Sequence, residues 1–572
     1  MKFFGLRNYC NSQEFAQLEV QVTNLIQSFV TNFSRDFSLF CKDNNLVKQI
    51  SKLPILASFN FKIEPMSKKR DSFFNSFLNI TEKAGNALPH PATLFASFAV
   101  FVLIISFVAS YFGWNAVHPT TSNIIEPVNL LDHDGIHRIM LEMVHNFTSF
   151  APLGIVIVAM LGIGIAESSG LIAAVIRLLV LKSPERYLTF VIVLAGILSN
   201  TASDIGYVLL IPLAGTIFLS IGRNPLVGMA AAFAGVSGGF SANLILGTID
   251  PLLAGLSQEA AGIIDPTYEV NPTANYYFMF VSTFIIAGSG TWVTEKIVAP
   301  RLGPYKGTVE SEEIKRLSKE EKKGLRLATL VMLALTAIVL IGIIPESGFL
   351  RGTDGSILRS PVIKGVIALL FVFSAAAGLA FGFGSGKFKN DSDVVEGMSA
   401  SIKSLATYIV LVFFAAQFVA YFKWSHLGEI MAINGAVFLE SINIGSIPLI
   451  IAFIILAATI NMAMGSASAK WAIMAPVFIP LFMELGYSPE LSQVVYRIGD
   501  SVTNLISPMM SFFALIIAFF QKYDKNASIG TIISTMLPYT FVFFLVWTIL
   551  IIIWMQFGLP LGPGAPLHYT PH

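Results

Sequence analysis

The chain has 572 residues, of which 54% are hydrophobic and only 12% charged; Phe alone numbers 48 and the mean hydropathy is +0.71. Soluble domains carry roughly 25% charged residues, so these side chains cannot clothe a water-facing surface, and the length reads as many membrane spans of about 20 residues each. A net charge of +1 with no basic stripe excludes a nucleic-acid partner.

Residues 1–65 are mixed in character and lack the basic start, apolar stretch and cleavage site of a signal peptide. They read as an N-terminal extension, either a mis-called start or a dispensable arm, with Met66-Ser-Lys-Lys-Arg70 resembling a cytoplasmic start. Intact mass of the native protein decides between these. Cys10 and Cys41, the only two cysteines, precede the first apolar run, so no disulfide scaffold or thiolate metal site can form within the membrane. The eight histidines fall in loops or near span ends, which leaves a heme or zinc enzyme almost without ligands.

Continuous apolar runs predict nine spans, at about 92–113, 151–166, 226–246, 276–298, 325–344, 361–381, 403–422, 489–521 and 528–556. Two further runs, about 187–220 and 446–484, are interrupted halfway by small polar residues: Ser199-Asn200-Thr201-Ala202-Ser203-Asp204 and Asn461-Met-Ala-Met-Gly465-Ser466-Ala467-Ser468. Loop charges set the orientation by the positive-inside rule. Lys68, Lys69, Arg70 and Lys83 place the amino end inside; the eight cations of 301–326 place that loop inside too, while 247–275 has Glu259, Asp265 and Glu269 but no Lys or Arg and suits the outside. Nine crossings then leave the carboxyl end outside. A full crossing by 187–220 would invert the basic loop, so that run must dip in from the cytoplasm and return, and 446–484 must dip in from outside. The expected fold is all-α and polytopic, with nine transmembrane helices and two re-entrant hairpins. Its first half (66–300) has a broken helix at about 226–256; a charged linker covers 301–324; the second half (325–572) has a broken helix at about 489–521.

An internal repeat agrees with this arrangement. Asn200 and Asn461 stand 261 residues apart, as do Asn243 and Asn504; Ile211-Pro212-Leu213 matches Ile479-Pro480-Leu481, and Gly222-x-x-Pro225 matches Gly486-x-x-Pro489. Four ordered matches between oppositely oriented segments favour an inverted repeat over chance similarity. Such repeats bring half-helix ends together at mid-membrane, where substrates and ions bind. Backbone groups bare in hydrocarbon cost several kcal/mol each, so the interruptions must be buried or line a wet cavity. Their Asn, Ser and Thr oxygens suit Na⁺, and amides at helix starts suit carboxylates.

Ionisable residues at depth are functional suspects. Arg497, Asp500, Ser501 and Asn504 stand at i, i+3, i+4 and i+7, on one helix face that ends at Ser507-Pro508. The stripe lines a permeation path, with Arg497 binding an anionic group and Asp500 orienting it, or it is a buried structural ion pair. Asp250, before Pro251, titrates as a coupling proton site, ligates a cation or caps an outer loop. Asp204 is an ion ligand or a helix N-cap. Trp471 stacks on an aromatic substrate or anchors the interface. Glu167 and Gln417 read as bonds between helices.

Leu88-Pro-His-Pro91, Phe150-Ala-Pro-Leu153, Ser199-Asn-Thr-Ala-Ser203, Gly235-Val-Ser-Gly-Gly239, Gly247-Thr-Ile-Asp-Pro-Leu-Leu-Ala-Gly255, Gly465-Ser-Ala-Ser-Ala469, Tyr496-Arg-Ile-Gly-Asp-Ser-Val-Thr-Asn504 and Gly558-Leu-Pro-Leu-Gly-Pro-Gly-Ala-Pro566 together resemble the p-aminobenzoyl-glutamate transporter (AbgT) family, from about residue 80 to 566. The resemblance implies a homodimer in the bacterial inner membrane with nine spans and two opposed hairpins per subunit. It implies uptake of p-aminobenzoyl-glutamate or efflux of sulfonamide antimetabolites. It also assigns Asp250, Ser468, Trp471, Arg497, Asp500 and Pro508 to the transport path; Ser199, Asn200, Thr201, Asp204, Asn243, Asn461, Ser466 and Asn504 are added from chemistry as hairpin-tip or ion residues, with Na⁺ placed at Asn200, Asn243, Asn461 and Asn504. The extension and the His- and acid-rich loop 114–149 depart from the family pattern.

The expected activity is secondary active transport of small aromatic anions by alternating access, with no cofactor. No P-loop occurs, so an H⁺ or Na⁺ gradient drives it. The alternative is a Na⁺-coupled dicarboxylate symporter, suggested by the Ser-Asn-Thr stretch. An intramembrane enzyme has no His or Cys at depth to work with.

Overall fold

The computed structural model describes residues 89–117, 122–201, 206–309, 316–357, 360–442, 444–507, 509–510 and 512–570. The extension 1–65, Asp204 and Pro508 lie outside the described residues. The described residues are mostly helical, with one two-stranded ribbon, Ala116–Val117 against Ile124–Ile125.

In chain order the main helices are α1 Pro91–Phe112, α2 His133–Thr148, α3 Ala151–Ser168, α4 Leu171–Leu181, α5 Leu188–Ser199, α6 Ile211–Ser220, α7 Pro225–Phe233, α8 Ile249–Ala261, α9 Tyr276–Val293 and α10 Lys319–Ile343. There follow α11 Val366–Ser385, α12 Asp391–Ser404, α13 Ala406–Trp424, α14 Leu427–Ser441, α15 Ser446–Ala463, α16 Ala467–Glu484, α17 Pro489–Asn504, α18 Phe513–Tyr523 and α19 Ile529–Gln556. Eight helical runs are long and apolar enough to cross a membrane: Pro91–Phe112, His133–Ser168, Tyr276–Leu302, Lys319–Ile343, Val366–Ser385, Ala406–Trp424, Ser446–Ala463 and Ile529–Gln556. Seven coincide with expected spans. The other two expected spans, 226–246 and 489–521, are broken helices, and the eighth run is the first arm of the 446–484 region.

The breaks have local causes. After α7 the helix widens into a π-helical turn, Ala234–Gly238, then loses helical form until α8 starts at Ile249. π-Turns of this kind recur at functional sites, and four glycines, Gly235, Gly238, Gly239 and Gly247, weaken the helix there. Helix α17 starts with Ser488 as N-cap and Pro489 in its first turn, and stops at Asn504. In the 446–484 region, α15 gives way to extended backbone at Met464, and the Ser466 hydroxyl caps α16 by accepting from Ala469 N.

The loop expected at 114–149 contains an amphipathic helix, α2, capped by the Asp132 carboxylate. Its polar residues disguise it in a hydropathy reading. Helix α5 packs against the 234–238 turn, and α15 packs against α17. Both contacts are tight: a Cβ on Gly196 would lie 2.8 Å from Val236 N, and one on Gly499 would lie 2.5 Å from Ile454 O.

Candidate functional site

Helix α17 organises the site. Residues 489–503 are all buried although the sequence is rich in polar side chains. Two ion pairs form there, crosswise to the pairing expected from sequence. Arg497 does not engage Asp500 on its own helix. Its Nη1 lies 2.7 Å from Oδ1 of Asp250, which α8 carries from the first half of the chain, and the two residues are 3% and 2% exposed. That oxygen accepts no well-directed hydrogen bond, so the contact is electrostatic. The other carboxylate oxygen, Oδ2, accepts from Gly247 N at 2.6 Å and closes the turn before α8. Asp250 is thus both a loop cap and the counter-ion of Arg497.

Asp500 pairs instead with Lys470, whose ammonium is buried in α16 and also donates to Oδ1 of Asn461. The Asn461 amide donates in turn to Asp500 O (2.6 Å), Asn504 Oδ1 (2.8 Å) and Thr503 Oγ1 (2.9 Å). Isolated charges in a dry interior cost several kcal/mol, so Lys470 and Asp500 require each other. Lys470 was overlooked in the sequence beside Trp471. The signal was present: Lys470 is the lone cation of the 446–484 region, whose one other charged residue, Glu484, stands at its end.

Trp471 is fully buried. One face of its ring stacks on Tyr496 with centroids 4.5 Å apart, and its Nε1 donates to Ser257 Oγ at 2.9 Å. The Ser257 hydroxyl donates to Gln493 Oε1 (2.6 Å), Gln493 Nε2 donates to Asn275 Oδ1 (2.8 Å), and Asn275 Nδ2 donates to Glu490 O (2.9 Å). This chain ties α16, α8, α17 and the start of α9 together. In this conformation the indole faces protein, not open space.

In the first half, Asn243 Nδ2 donates to Thr201 Oγ1 at 3.2 Å, across from the break to the hairpin tip, as Asn461 and Asn504 do in the second half. Asn200 is buried, and among the described residues its Nδ2 has no partner. The Ser199 hydroxyl is spent on Gly196 O of its own helix. Ser466 and Ser468 approach each other at 3.3 Å at the turn between α15 and α16, apart from the buried pairs. Among the described residues, four buried polar atoms near the breaks have no hydrogen-bond partner: Asn200 Nδ2, Asp250 Oδ1, Arg497 Nε and Ser501 Oγ. Unmatched buried groups are rare and mark places where water, an ion or a ligand binds.

A cavity of about 440 Å³ opens between α3, α12 and the start of α8, lined by Glu167, Ser168, Thr248, Ile249 and Ser401 among others. Two residues before the end of α8 lies Glu259, whose Oε1 accepts from Ala151 N at 3.0 Å. Gln417 bonds Asn146 and Met143 O, joining α13 to α2 as expected of an interhelical bond.

At the far end of α17, Glu490 is buried and accepts from the Tyr268 hydroxyl at 2.8 Å. Tyr268 packs edge-on against Tyr569 of the C-terminal tail, and Tyr569 donates to Asp265 Oδ2 at 3.3 Å. Burial, with the neighbouring Glu490 carboxyl second, pushes the Tyr268 hydroxyl far above the ordinary phenol range. Burial and then the Asp265 carboxylate push Tyr569 up to about 12. Glu490 and Gln493 escaped the sequence reading because they fall inside a run taken as one span.

Residues 76–569 match the family model described as "AbgT putative transporter family". The chain is 36% identical over 484 residues to the p-aminobenzoyl-glutamate transport protein of Escherichia coli (strain K12), covering 84% of this chain and 95% of that one. Among solved structures it is similar to the Alcanivorax borkumensis YdaH transporter (TM-score 0.79, 44% identity, 83% of this chain and 100% of that one). It is also similar to Neisseria gonorrhoeae MtrF, described as illuminating a class of antimetabolite efflux pumps (TM-score 0.82, 50% identity, 86% of this chain and 100% of that one).

Proposed function

The chain belongs to the AbgT transporter family, and from that premise we propose that it is a secondary active transporter of p-aminobenzoyl-glutamate-like aromatic anions, of sulfonamide-type antimetabolites, or of both. The observation that carries this reading is the Arg497–Asp250 pair. A guanidinium with an unmatched Nε is held at a helix break by a carboxylate from the other half of the chain. A substrate carboxylate supplies the same charge as Asp250, so it can take over the guanidinium and release α8. Exchange of one carboxylate for another at a fixed Arg joins substrate binding to movement of one half against the other. That is the differential interaction a conformational change requires.

Trp471 reaches an aromatic substrate only if it leaves Tyr496 or if the substrate takes its other face; Ser468 stands next to it at the hairpin turn. Pro508 completes the path by the family resemblance. An H⁺ or Na⁺ gradient drives the cycle. The oxygen donors we assign to a Na⁺ ion are Asn200, Asn243, Asn461 and Asn504, and Ser199, Thr201, Asp204 and Ser466 are added from the chemistry of the sequence, although the Asn461 oxygen already faces the Lys470 ammonium. Paired contacts across the two breaks support an inverted repeat of nine crossings and two hairpins. In this reading the protein is a homodimer of the bacterial inner membrane, amino end inside and carboxyl end outside. The relatives described above lend no support to a dicarboxylate symporter.

The test uses purified full chain in liposomes, labelled p-aminobenzoyl-glutamate or a sulfonamide, and H⁺ and Na⁺ gradients imposed separately. Gradient-dependent flux that vanishes in Arg497→Ala is the expected result. No flux of either compound, or undiminished flux in Arg497→Ala, overturns the reading.

A further inference from the structure

We propose that Glu490 is an exchangeable proton site that links the proton gradient to transport. The inference rests on the transporter reading above and deepens it by naming the coupling ion and its carrier. Glu490 is 2% exposed, and among the described residues no Lys, Arg or His stands within ion-pair distance of it. Its carboxyl accepts from the Tyr268 hydroxyl at 2.8 Å.

The charged and titratable groups around it are otherwise committed. On its own helix, Arg497 is held by Asp250 and Asp500 by Lys470. On α8, Glu259 accepts from Ala151 N. From the 262–275 loop come Tyr268, Glu269, which is paired with Lys364, and, behind Tyr268, Asp265, which takes hydrogen bonds from Thr267 and from Tyr569 of the tail; the end of α16 adds Glu484, which acts on Tyr569. Helix α15 has no titratable side chain, and the one on α19, Tyr539, shares a hydrogen bond with Thr294.

Two opposing effects act on the carboxyl. The start of α17 and the tyrosine O–H favour the anion, whereas burial without a cation favours the acid by several kcal/mol. A group balanced in this way changes charge when its cover changes. The cover is made by Tyr268 of a loop and Tyr569 of the tail, neither of them in a helix. The same residue is wired to the site, since Asn275 bonds the Glu490 carbonyl and continues through Gln493 and Ser257 to Trp471. Motion of α16 during transport therefore pulls on the elements that enclose Glu490. When Tyr268 and the tail move off together, water reaches the carboxyl, the burial that favours the acid is relieved and the proton leaves; when they cover it again, burial restores the acid form.

The experiment is infrared difference spectroscopy of the full chain in liposomes during a pH titration, comparing wild type with Glu490→Gln and Glu490→Asp. The expected result is a carbonyl stretch of a protonated carboxyl that fades reversibly as pH rises, is missing in Glu490→Gln and returns, shifted, in Glu490→Asp. A titrating band unchanged in Glu490→Gln, or no titrating band in wild type, overturns the inference. Because no substrate is present, this outcome is independent of whether the substrate assignment holds. With substrate, the pH dependence of flux seen in wild type should flatten in Glu490→Gln, and a preserved pH profile would again overturn it.

Discussion

The guanidinium of Arg497 lies 2.7 Å from the carboxylate of Asp250, a residue 247 positions earlier in the chain, and not against Asp500 three positions along its own helix. Helix α17 thereby holds both halves of the protein at one point, while Asp500 is left to the hairpin through Lys470.

Breaking the first pair from either side should be costly. Arg497→Ala leaves Asp250 buried and unpaired, and Asp250→Ala leaves the guanidinium so; each should lower stability by about 3–5 kcal/mol. Replacing both with apolar residues removes both stranded charges, so the double variant should be more stable than either single one, although transport stays lost. Thermal unfolding in detergent with a double-mutant cycle reads the coupling. Additive losses would mean that the two residues do not act as a pair.

Lys470 should behave in the same way toward Asp500, with one difference. Lys470→Met also removes the donor to Asn461 Oδ1, leaving that amide oxygen without its charged partner. Unfolding should fall by about 3–5 kcal/mol in Lys470→Met and recover in part when Asp500→Asn is added, since a neutral amide needs no counter-ion. A cycle combining Lys470→Met with Asp250→Ala should be close to additive, because the two pairs share no atom. Strong coupling there would show that the pairs form one network and not two.

These pairings also mark how far sequence reaches. Arg497, Asp500 and Asp250 were legible because a charge in an apolar run is expensive and therefore conspicuous. Their partners were not, because partner choice depends on which helices meet, and the i, i+3 spacing of Arg497 and Asp500 suggested a local pair that the packing of α8 against α17 replaces. The breaks near Asn243 and Asn504 were legible from small polar residues in hydrophobic surroundings. Helix α2 was not, since its apolar face alternates with His, Asp and Glu and gives little mean hydropathy. Glu490 stayed hidden for a related reason: averaging over a long span conceals a single acid near its edge.

The carboxyl-terminal tail offers a pH prediction. Tyr569 titrates at about 12 in the folded protein, above the ordinary phenol value of about 10, and Tyr268 is shifted in the same direction. A raised phenol pKa means that the folded state holds its proton more tightly than the unfolded one. The stabilising contribution is complete below about pH 10 and disappears as pH rises through the folded value. Limited proteolysis should show the tail beyond Gln556 becoming cleavable in that alkaline window. Tyr569→Phe cannot ionise and gives up the bond to Asp265, so its tail should be more accessible at neutral pH and respond less to alkali. An identical pH profile in wild type and Tyr569→Phe would exclude Tyr569 as the tether.

Gly499 tests whether the hairpin network depends on close helix approach and not on charge alone. A Cβ at this position would sit 2.5 Å from Ile454 O and 2.7 Å from the Ala457 Cβ, both on α15, which also carries Asn461. Gly499→Ala must therefore push α15 away from α17, and overpacking of this kind costs about 1–3 kcal/mol. The displacement draws Asn461 away from Asp500 and Lys470 while every charge stays in place, so transport should fall together with thermal stability. Adding Ala457→Gly removes one of three clashes but not those with the Ile454 carbonyl and the Ala458 nitrogen, which belong to the backbone. The double variant should thus recover only part of the lost unfolding temperature. Full recovery would assign the constraint to the Ala457 methyl, and unchanged stability in Gly499→Ala itself would mean that α15 and α17 have room to spare.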